Sequence, residues 1–465
     1  MNRLTPIFLV AAISTALGAC AVGPNYERPS APAPTAFREA PAGWQAAQPK
    51  DAAQRGPWWS VYGDPLLDRL VSRVAIDNQN LKAYEAAYRE AVAVVGEARA
   101  GLSPTVDLAP TASRQHSARS NSTTRAATAS GTWEPDLWGK ARRQIESDTA
   151  SAQASAAELA DLTLSAQAEL VTDYFELRYQ DSLIVLYQRT VNAYERSQRI
   201  ARNQYDAGTV ARSDVITAQT TLATARASLV GAERLRDQYE HAIALLVGKA
   251  PAELTIPAAA LDTPLPEVAG VLPSALLERR PDIAEAERRM QQQSAQIGVA
   301  QAAYYPTIDL SAEAGYSGLG KLLSAPNELW SLAGTATETL FDGGQRRSTV
   351  EAARAAYDQS VASYRQTVLA AFQDVEDELS NLRVLAQQSV AQDEALRLAR
   401  QAETIATNEY QAGTVDYTTV VTAQATALSA EQSSLQITEQ RLVATASLIR
   451  ALGGGWSTAD MARAP

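Results

Sequence analysis

Cysteine is nearly absent from this 465-residue chain: there is one, Cys20, so no disulfide can form within a chain and no cysteine cluster can hold a metal. Histidine is almost as scarce. His116 falls in a polar stretch and His241 in a helical one, too far apart in sequence to form a ligand motif, and with no cysteine partner for a nucleophile. No glycine-rich phosphate loop and no Gly-x-Ser-x-Gly elbow occurs. Aromatic residues make up only 6% of the chain while Ala, Gln and Leu abound, which disfavours a large globular core and favours long helices. Positive charge is in deficit, with a formal net charge of −11, so nucleic acid is an unsuitable partner. These absences leave little room for an enzyme, and the sequence calls for no cofactor or metal.

What is present is a duplication. Tyr205-Asp206-Ala207-Gly208-Thr209-Val210 returns as Tyr410-Gln411-Ala412-Gly413-Thr414-Val415, an offset of 205 residues, with further identities on both sides such as Val215, Thr217, Ala218 and Gln219 against Val420, Thr422, Ala423 and Gln424. Glycine accepts the left-handed backbone that ends a helix. Thr209 or Ser213, and Thr414 or Thr418, are then candidates to cap the helix that follows. Each copy therefore reads as the tip of a helical hairpin.

Upstream of each tip the pattern also repeats. Pro104-Thr105-Val106-Asp107-Leu108 alternates as a strand does and recurs as Pro306-Thr307-Ile308-Asp309-Leu310. Val106, Leu108, Ile308 and Leu310 share the apolar face, and Thr105, Asp107, Thr307 and Asp309 the polar one. A polar loop is expected from Arg114 to about Arg125, then a second strand ending at Trp133–Gly139, with its counterpart ending at Leu340–Gly344. Such alternation over about ten residues is the mark of an outer-membrane barrel strand. Two hairpins per chain are too few to close a barrel.

The expected helices are 64–100, 140–206, 213–246, 281–303, 345–411 and 417–452. The two long ones contain no proline and would run about 100 Å. Val368, Phe372, Val375, Leu379 and Leu382 follow a 4-3-4-3 seam, matched in the first half by Leu170, Tyr174 and Leu177. The acidic run Asp374, Glu376, Asp377, Glu378 reads as a water-facing stripe. The chain divides into 1–19, a signal; 20–63, an extended segment rich in Pro, Ala and Gln; 64–250, the first repeat; 251–271, a proline-rich linker; 272–455, the second repeat; and 456–465, a tail.

The start, Met1-Asn2-Arg3 then an apolar run too short to span a bilayer, is a targeting segment. Leu17-Gly18-Ala19-Cys20 resembles the bacterial lipobox, which implies lipidation of Cys20 and a chain anchored at the outer membrane. With Val22-Gly23-Pro24-Asn25-Tyr26, Trp59 through Leu67, Arg279-Arg280-Pro281-Asp282-Ile283, Leu340-Phe341-Asp342-Gly343-Gly344 and the two Ala-Gly-Thr tips, the mature chain resembles the lipoprotein branch of the TolC/OprM-like outer-membrane efflux ducts. The resemblance implies a homotrimer, a 12-stranded β-barrel built from four strands per chain, and an α-barrel tunnel across the periplasm. It also implies an outer-membrane exit duct of a tripartite efflux pump, extending into the periplasm to meet a periplasmic adaptor and an inner-membrane pump.

In that family a ring of carboxylates just past the second tip narrows the tunnel. The matching positions here are Thr419 and Thr422, so the sequence departs from the pattern. Asp416 and Asp214 lie close by and are either the candidate gate or ordinary charges at helix N-termini, with Gly208, Thr209, Gly413, Thr414, Thr418, Thr419 and Thr422 forming the tips and their polar wall. A periplasmic adaptor is the competing reading, but adaptors carry a single hairpin between β-rich domains. A helical scaffold lipoprotein that makes no pore is the other.

Overall fold

The computed structural model describes residues 21–31, 34, 36–40, 57–117, 120–266, 279–318, 328–454 and 456. Cys20, the end of the linker after 266, the 319–327 connection and the tail after 456 lie outside them.

The chain forms seven helices among the described residues: α1 (Pro65–Asp77), α2 (Gln79–Ala100), α3 (Lys140–Asp206), α4 (Arg212–Leu246), α5 (Pro281–Ala302), α6 (Gln345–Gln411) and α7 (Tyr417–Ala451). The duplication is exact in length. α3 and α6 each have 67 residues, α4 and α7 each 35, and α2 and α5 each 22. At 1.5 Å per residue α3 and α6 are about 100 Å long. No described helix is long and apolar enough to cross a membrane.

One expected helix is two. The stretch 64–100 breaks at Asn78, whose ψ of 122° leaves the helical region. Its Oδ1 accepts from the N–H groups of Asn80 and Leu81, capping α2, while its Nδ2 donates to Leu246 O at 3.0 Å. Arg280, 202 residues on, repeats the arrangement at the start of α5. Its backbone is extended (ψ 124°), and its guanidinium donates to Ala451 O at 3.2 Å and pairs with Asp374 and Asp282. In both halves, therefore, the residue that starts the opening helix also satisfies a carbonyl at the end of the returning one.

The expected heptad seam is the interior of the second half. Val368 and Val375 are fully buried, and Phe372, Leu379 and Leu382 pack with Ile283, Met290 and Leu448. Leu170, Tyr174 and Leu177 do the same in the first half, joined by Trp58, Leu67, Ile243 and Leu442. Asp64 caps α1 by accepting from Leu66 N (2.8 Å) and also accepts from the Tyr174 hydroxyl. α7 packs on both α3 and α6, and α5 lies between the same two helices, so the halves interleave.

Among its described residues the linker has one 3-10 turn, Pro251–Glu253, and is then held by side chains of α3 and α4. Asp181, almost fully buried, receives Arg178 (3.0 Å), Arg236 (2.8 Å) and the backbone N–H of Ala259 (3.1 Å). The same two arginines donate onward to Pro257 O and Ile256 O. Removing one partner of a buried pair strands the other charge. Asp181→Ala is therefore expected to destabilise the chain by ~3–5 kcal/mol, lowering its thermal midpoint and speeding limited proteolysis within 254–266. An unchanged midpoint and cleavage rate would show that the linker is held by apolar contacts alone.

Candidate functional site: an open sheet and two hairpin tips

The four strands are β1 (Thr105–Ser117), β2 (Ser120–Trp133), β3 (Thr307–Gly318) and β4 (Glu328–Thr337). They form one antiparallel sheet in chain order, the two hairpins joined through β2 and β3. The polar loop expected at Arg114–Arg125 is strand instead: Arg114 pairs with Thr123 and Gln115 with Ser122, so β1 and β2 run on as a polar two-stranded ribbon past the end of β3. Polarity there does not break the ladder, because backbone pairing needs no apolar face at the tip of a hairpin.

Register sorts the side chains onto two faces. One carries Val106 and Leu108, then Gly131 and Ala129, Ala312 and Ala314, and Leu332 and Trp330 across the four strands. The other carries Thr105 and Asp107, then Thr132 and Ser130, Ser311 and Glu313, and Ala333 and Ser331. The apolar face is bare: Val106 is 76% exposed, Leu108 75%, Trp330 77% and Leu332 76%, with Leu310 partly exposed and Ile308 half-buried. An uncovered apolar face opposite a polar one is what a lipid-facing sheet requires. At its base lies a band of aromatics. Trp133 Nε1 donates to Leu102 O, Trp138 Nε1 donates to Pro306 O, and the Trp138 ring stacks on Tyr305 at 5.0 Å. Tyr304 and Phe341 sit exposed at the same junction. Rings with one apolar side and one hydrogen-bonding tip suit a membrane–water boundary. β1 and β4 have no partner on their outer edges among the described residues, so the sheet of one chain is open at both sides.

At the far end of the helices, both tips have one geometry. Gly208 and Gly413 each have φ +75°, and the N–H groups of Thr209 and Thr414 reach back five residues to Gln204 O and Glu409 O. The Thr209 and Thr414 hydroxyls donate to those same carbonyls at 2.9 Å. These threonines thus close the helix that ends, correcting the expectation that they cap the next one. Ser213 and Thr418 cap nothing either. α7 is capped by Asp416, whose Oδ1 accepts from Thr419 N (3.0 Å) and Thr419 Oγ1 (2.9 Å). α4 begins after Ala211 with no side-chain cap. The Thr419 donors hold the exposed Asp416 carboxyl below the usual carboxylate range. Thr418, Thr419 and Thr422 are all exposed, and the Thr422 hydroxyl turns back to Thr418 O. Asp214, in the first turn of α4, faces Tyr410 and Tyr417. Those rings lie 5.3 Å apart, and the Tyr410 hydroxyl donates to Gln204 of the other tip, so the two tips pack on each other.

The composition of 20–63 leads to the expectation of an extended segment; what the sequence does not show is which side chains tie it down. Residues 21–31, 34 and 36–40 form a strap along the helices, tied by Arg143 to Val22 O, Gly23 O and Asn25 Oδ1, by Arg28 to Glu287, and by Arg383 to Glu39. Glu376 accepts from the N–H groups of Arg38 and Glu39, and Phe37 packs on Phe372. The expected water-facing stripe is accordingly not idle: Asp374 and Glu376 hold other segments. No group of His, Cys, Asp and Glu suited to a metal occurs among the described residues.

The model of the family described as outer membrane efflux protein matches residues 70–249 and 272–454. The chain belongs to that family. It is 31% identical to the outer membrane protein OprJ of Pseudomonas aeruginosa over 97% of this chain and 96% of that one. It is 29% identical to the probable efflux pump outer membrane protein TtgC of Pseudomonas putida, covering 95% and 93%. The solved structure of the outer-membrane channel OprN superposes with a TM-score of 0.85 at 30% identity, covering 94% of this chain and all of that one. The bare sheet is thus the membrane-embedded part of an efflux channel, and the helices extend from it into the periplasm.

Charge on the two faces should accordingly be tolerated unequally. Leu108→Arg is expected to cost about 2–4 kcal/mol near the bilayer midplane and to reduce assembled protein in outer-membrane fractions. Thr111→Arg, on the opposite face of the same strand, is expected to leave assembly intact. Equal yields of the two variants would contradict lipid exposure of the Leu108 face.

Proposed function

We propose that this chain is the exit duct of a tripartite efflux pump, a homotrimer whose members each give four strands to a shared twelve-stranded barrel. The observation that carries this reading is the sheet: apolar outside, polar inside, and open at β1 and β4, so that β4 of one chain meets β1 of the next. An open edge in lipid is unacceptable, and closure by copies removes it. The relatives are named as efflux pump outer membrane proteins, which supports a periplasmic adaptor and an inner-membrane pump as partners. The duct performs no reaction and uses no cofactor; it lowers the barrier to crossing while the pump supplies the energy. An adaptor is not favoured, since adaptors are built around a single hairpin and here there are two.

Cys20 is the lipid attachment site in this reading. Ala21 packs against Gly139 and Val22 N donates to Trp138 O at 3.0 Å, which puts the start of the strap beside the aromatic band at the base of the sheet. An acyl chain on the preceding residue would enter the membrane there. Metabolic labelling with a radioactive fatty acid is expected to mark the protein and to be lost in Cys20→Ser. Label persisting in that variant would exclude Cys20 as the site.

The tips form the gate, with Asp416 foremost and Asp214 second as the charges that narrow it, around the polar wall of Thr418, Thr419 and Thr422. Three copies of one carboxylate around an axis attract cations and repel one another. Asp416 is also a helix cap, so two substitutions separate the roles. Asp416→Asn keeps a capping oxygen and removes the charge, whereas Asp416→Ala removes both. Single-channel recording in planar bilayers is expected to show the same loss of cation preference in both, and a further rise in conductance when Asp214→Ala is added. Unchanged conductance and selectivity in all three would place the aperture elsewhere.

A further inference from the structure

Between α3, α6 and α7 runs a groove of about 550 Å³ that the duct function does not use. Glu176 and Tyr179 face it from α3, Glu378 and Leu385 from α6, and Glu439 and Val443 from α7. No Lys, Arg or His lines it. Glu176 accepts from the Tyr239 hydroxyl of α4, and Glu378 accepts from Asn381 Nδ2 at 3.3 Å. Glu439 differs. It is only 5% exposed, yet it makes no hydrogen bond or ion pair with any described residue. The charged groups around it are other acids, Glu176 directly and Asp173 beyond; Tyr179 and Tyr239 are its remaining titratable neighbours, and Arg450 acts on Glu378 instead.

A largely covered carboxylate with no donor, opposite a second carboxylate, is an unfavourable arrangement that a proton or a cation relieves. Burial, and then Glu176, push the Glu439 carboxyl up to about 8. At neutral pH it therefore holds a proton, which a bound cation would displace to solvent. The rest of the wall selects the cation. Leu385, Val443 and the Tyr179 ring offer apolar and π surface, and the carboxylates stand on three separate helices in no arrangement suited to a metal among the described residues.

We propose that this groove binds an organic monocation with an apolar body, the positive centre between Glu439, Glu176 and Glu378 and the body against Tyr179, Leu385 and Val443. Binding here is a property of the helical wall and does not depend on conduction, so it can fail while the channel reading stands, and the reverse.

Calorimetric titration of the full-length assembled chain in detergent tests it, with tetraphenylphosphonium as probe and tetraphenylborate as the anion of the same shape. The phosphonium is expected to bind saturably, about one per chain, and the borate not to bind. Displacing one proton makes the affinity rise about tenfold per pH unit between pH 6 and 8. Glu439→Gln is expected to weaken binding at least tenfold and to flatten that slope, whereas Glu378→Gln weakens it and keeps the slope. Equal binding of phosphonium and borate overturns the proposal, as does a flat pH dependence in the unaltered chain. So does displacement of the phosphonium by millimolar Mg²⁺ at constant ionic strength, or full affinity in Glu439→Gln. The charge comparison and the pH slope use the unaltered chain, so they decide the matter even if the Glu439 variant does not assemble.

Discussion

A helix of 67 residues has more surface than any one neighbour in this chain can cover, and the rest of the architecture follows from that constraint. The stability of a helix in water comes mainly from burying one face against tertiary partners. α3 and α6 meet the demand with shorter partners set end to end, and they share α5 and α7 between them. The returning helix, α4 or α7, covers the half toward the tip, and the 22-residue opener, α2 or α5, covers the half toward the sheet. The shorter helices stop midway, and their ends would leave N–H and C=O groups unpaired. Asn78 and Arg280 stand at those two junctions, each making a bond to the returning helix of its own repeat. The same problem has been solved twice by different side chains, which indicates that the geometry, not the residue, is what the duplication preserves.

The junctions also explain why the middle of the molecule is so heavily tied. The Asp181 network anchors the linker across the first repeat, and Glu376 with Arg383 anchors the strap across the second. Surface ion pairs between exposed side chains contribute little. These are different because they restrain segments with no regular structure of their own. Ordering such a segment costs backbone entropy at every residue, and the side chains that offset it must come from helices already fixed. That is why acidic residues at positions which read as a solvated stripe turn out to receive backbone N–H groups.

How much of this was legible in the sequence depended on whether the signal was local. The bounds of α3 and α6 are local signals: a glycine turn at one end, a strand end at the other, and no proline between. The faces of β1 and β3 follow from alternation, and the structure puts Val106, Leu108 and Leu310 on the bare side as alternation requires. The break at Asn78 was not visible because Gln79-Asn80-Leu81 continues a helical pattern; only the distant Leu246 carbonyl makes a bend there profitable. The tip threonines misled for a related reason. A hydroxyl beside a turn can face the helix before it or the one after it, and the choice is set by the αL glycine, which turns Thr209 and Thr414 back on Gln204 and Glu409. Glu439 gives no signal in sequence at all, since its isolation is a fact about three helices.

The two tips, so alike in backbone, are unequal in energy. α7 begins on a carboxylate that accepts two bonds from Thr419, while α4 begins on Ala211 and leaves its first N–H groups without a side-chain acceptor. A side-chain cap stabilises a helix end, so the second hairpin holds its own end and the first depends more on its neighbour. The contacts run in that direction. Tyr410, from the second repeat, donates to Gln204 of the first, and its ring lies with Tyr417 against Ala201 and Ala218. A tip that needs its partner cannot move far alone. Separating the two hairpins would expose Tyr417, almost fully buried where it stands, and would leave α4 with neither cap nor cover. Separation of the two tips is therefore resisted chiefly by apolar contact between the repeats within one chain.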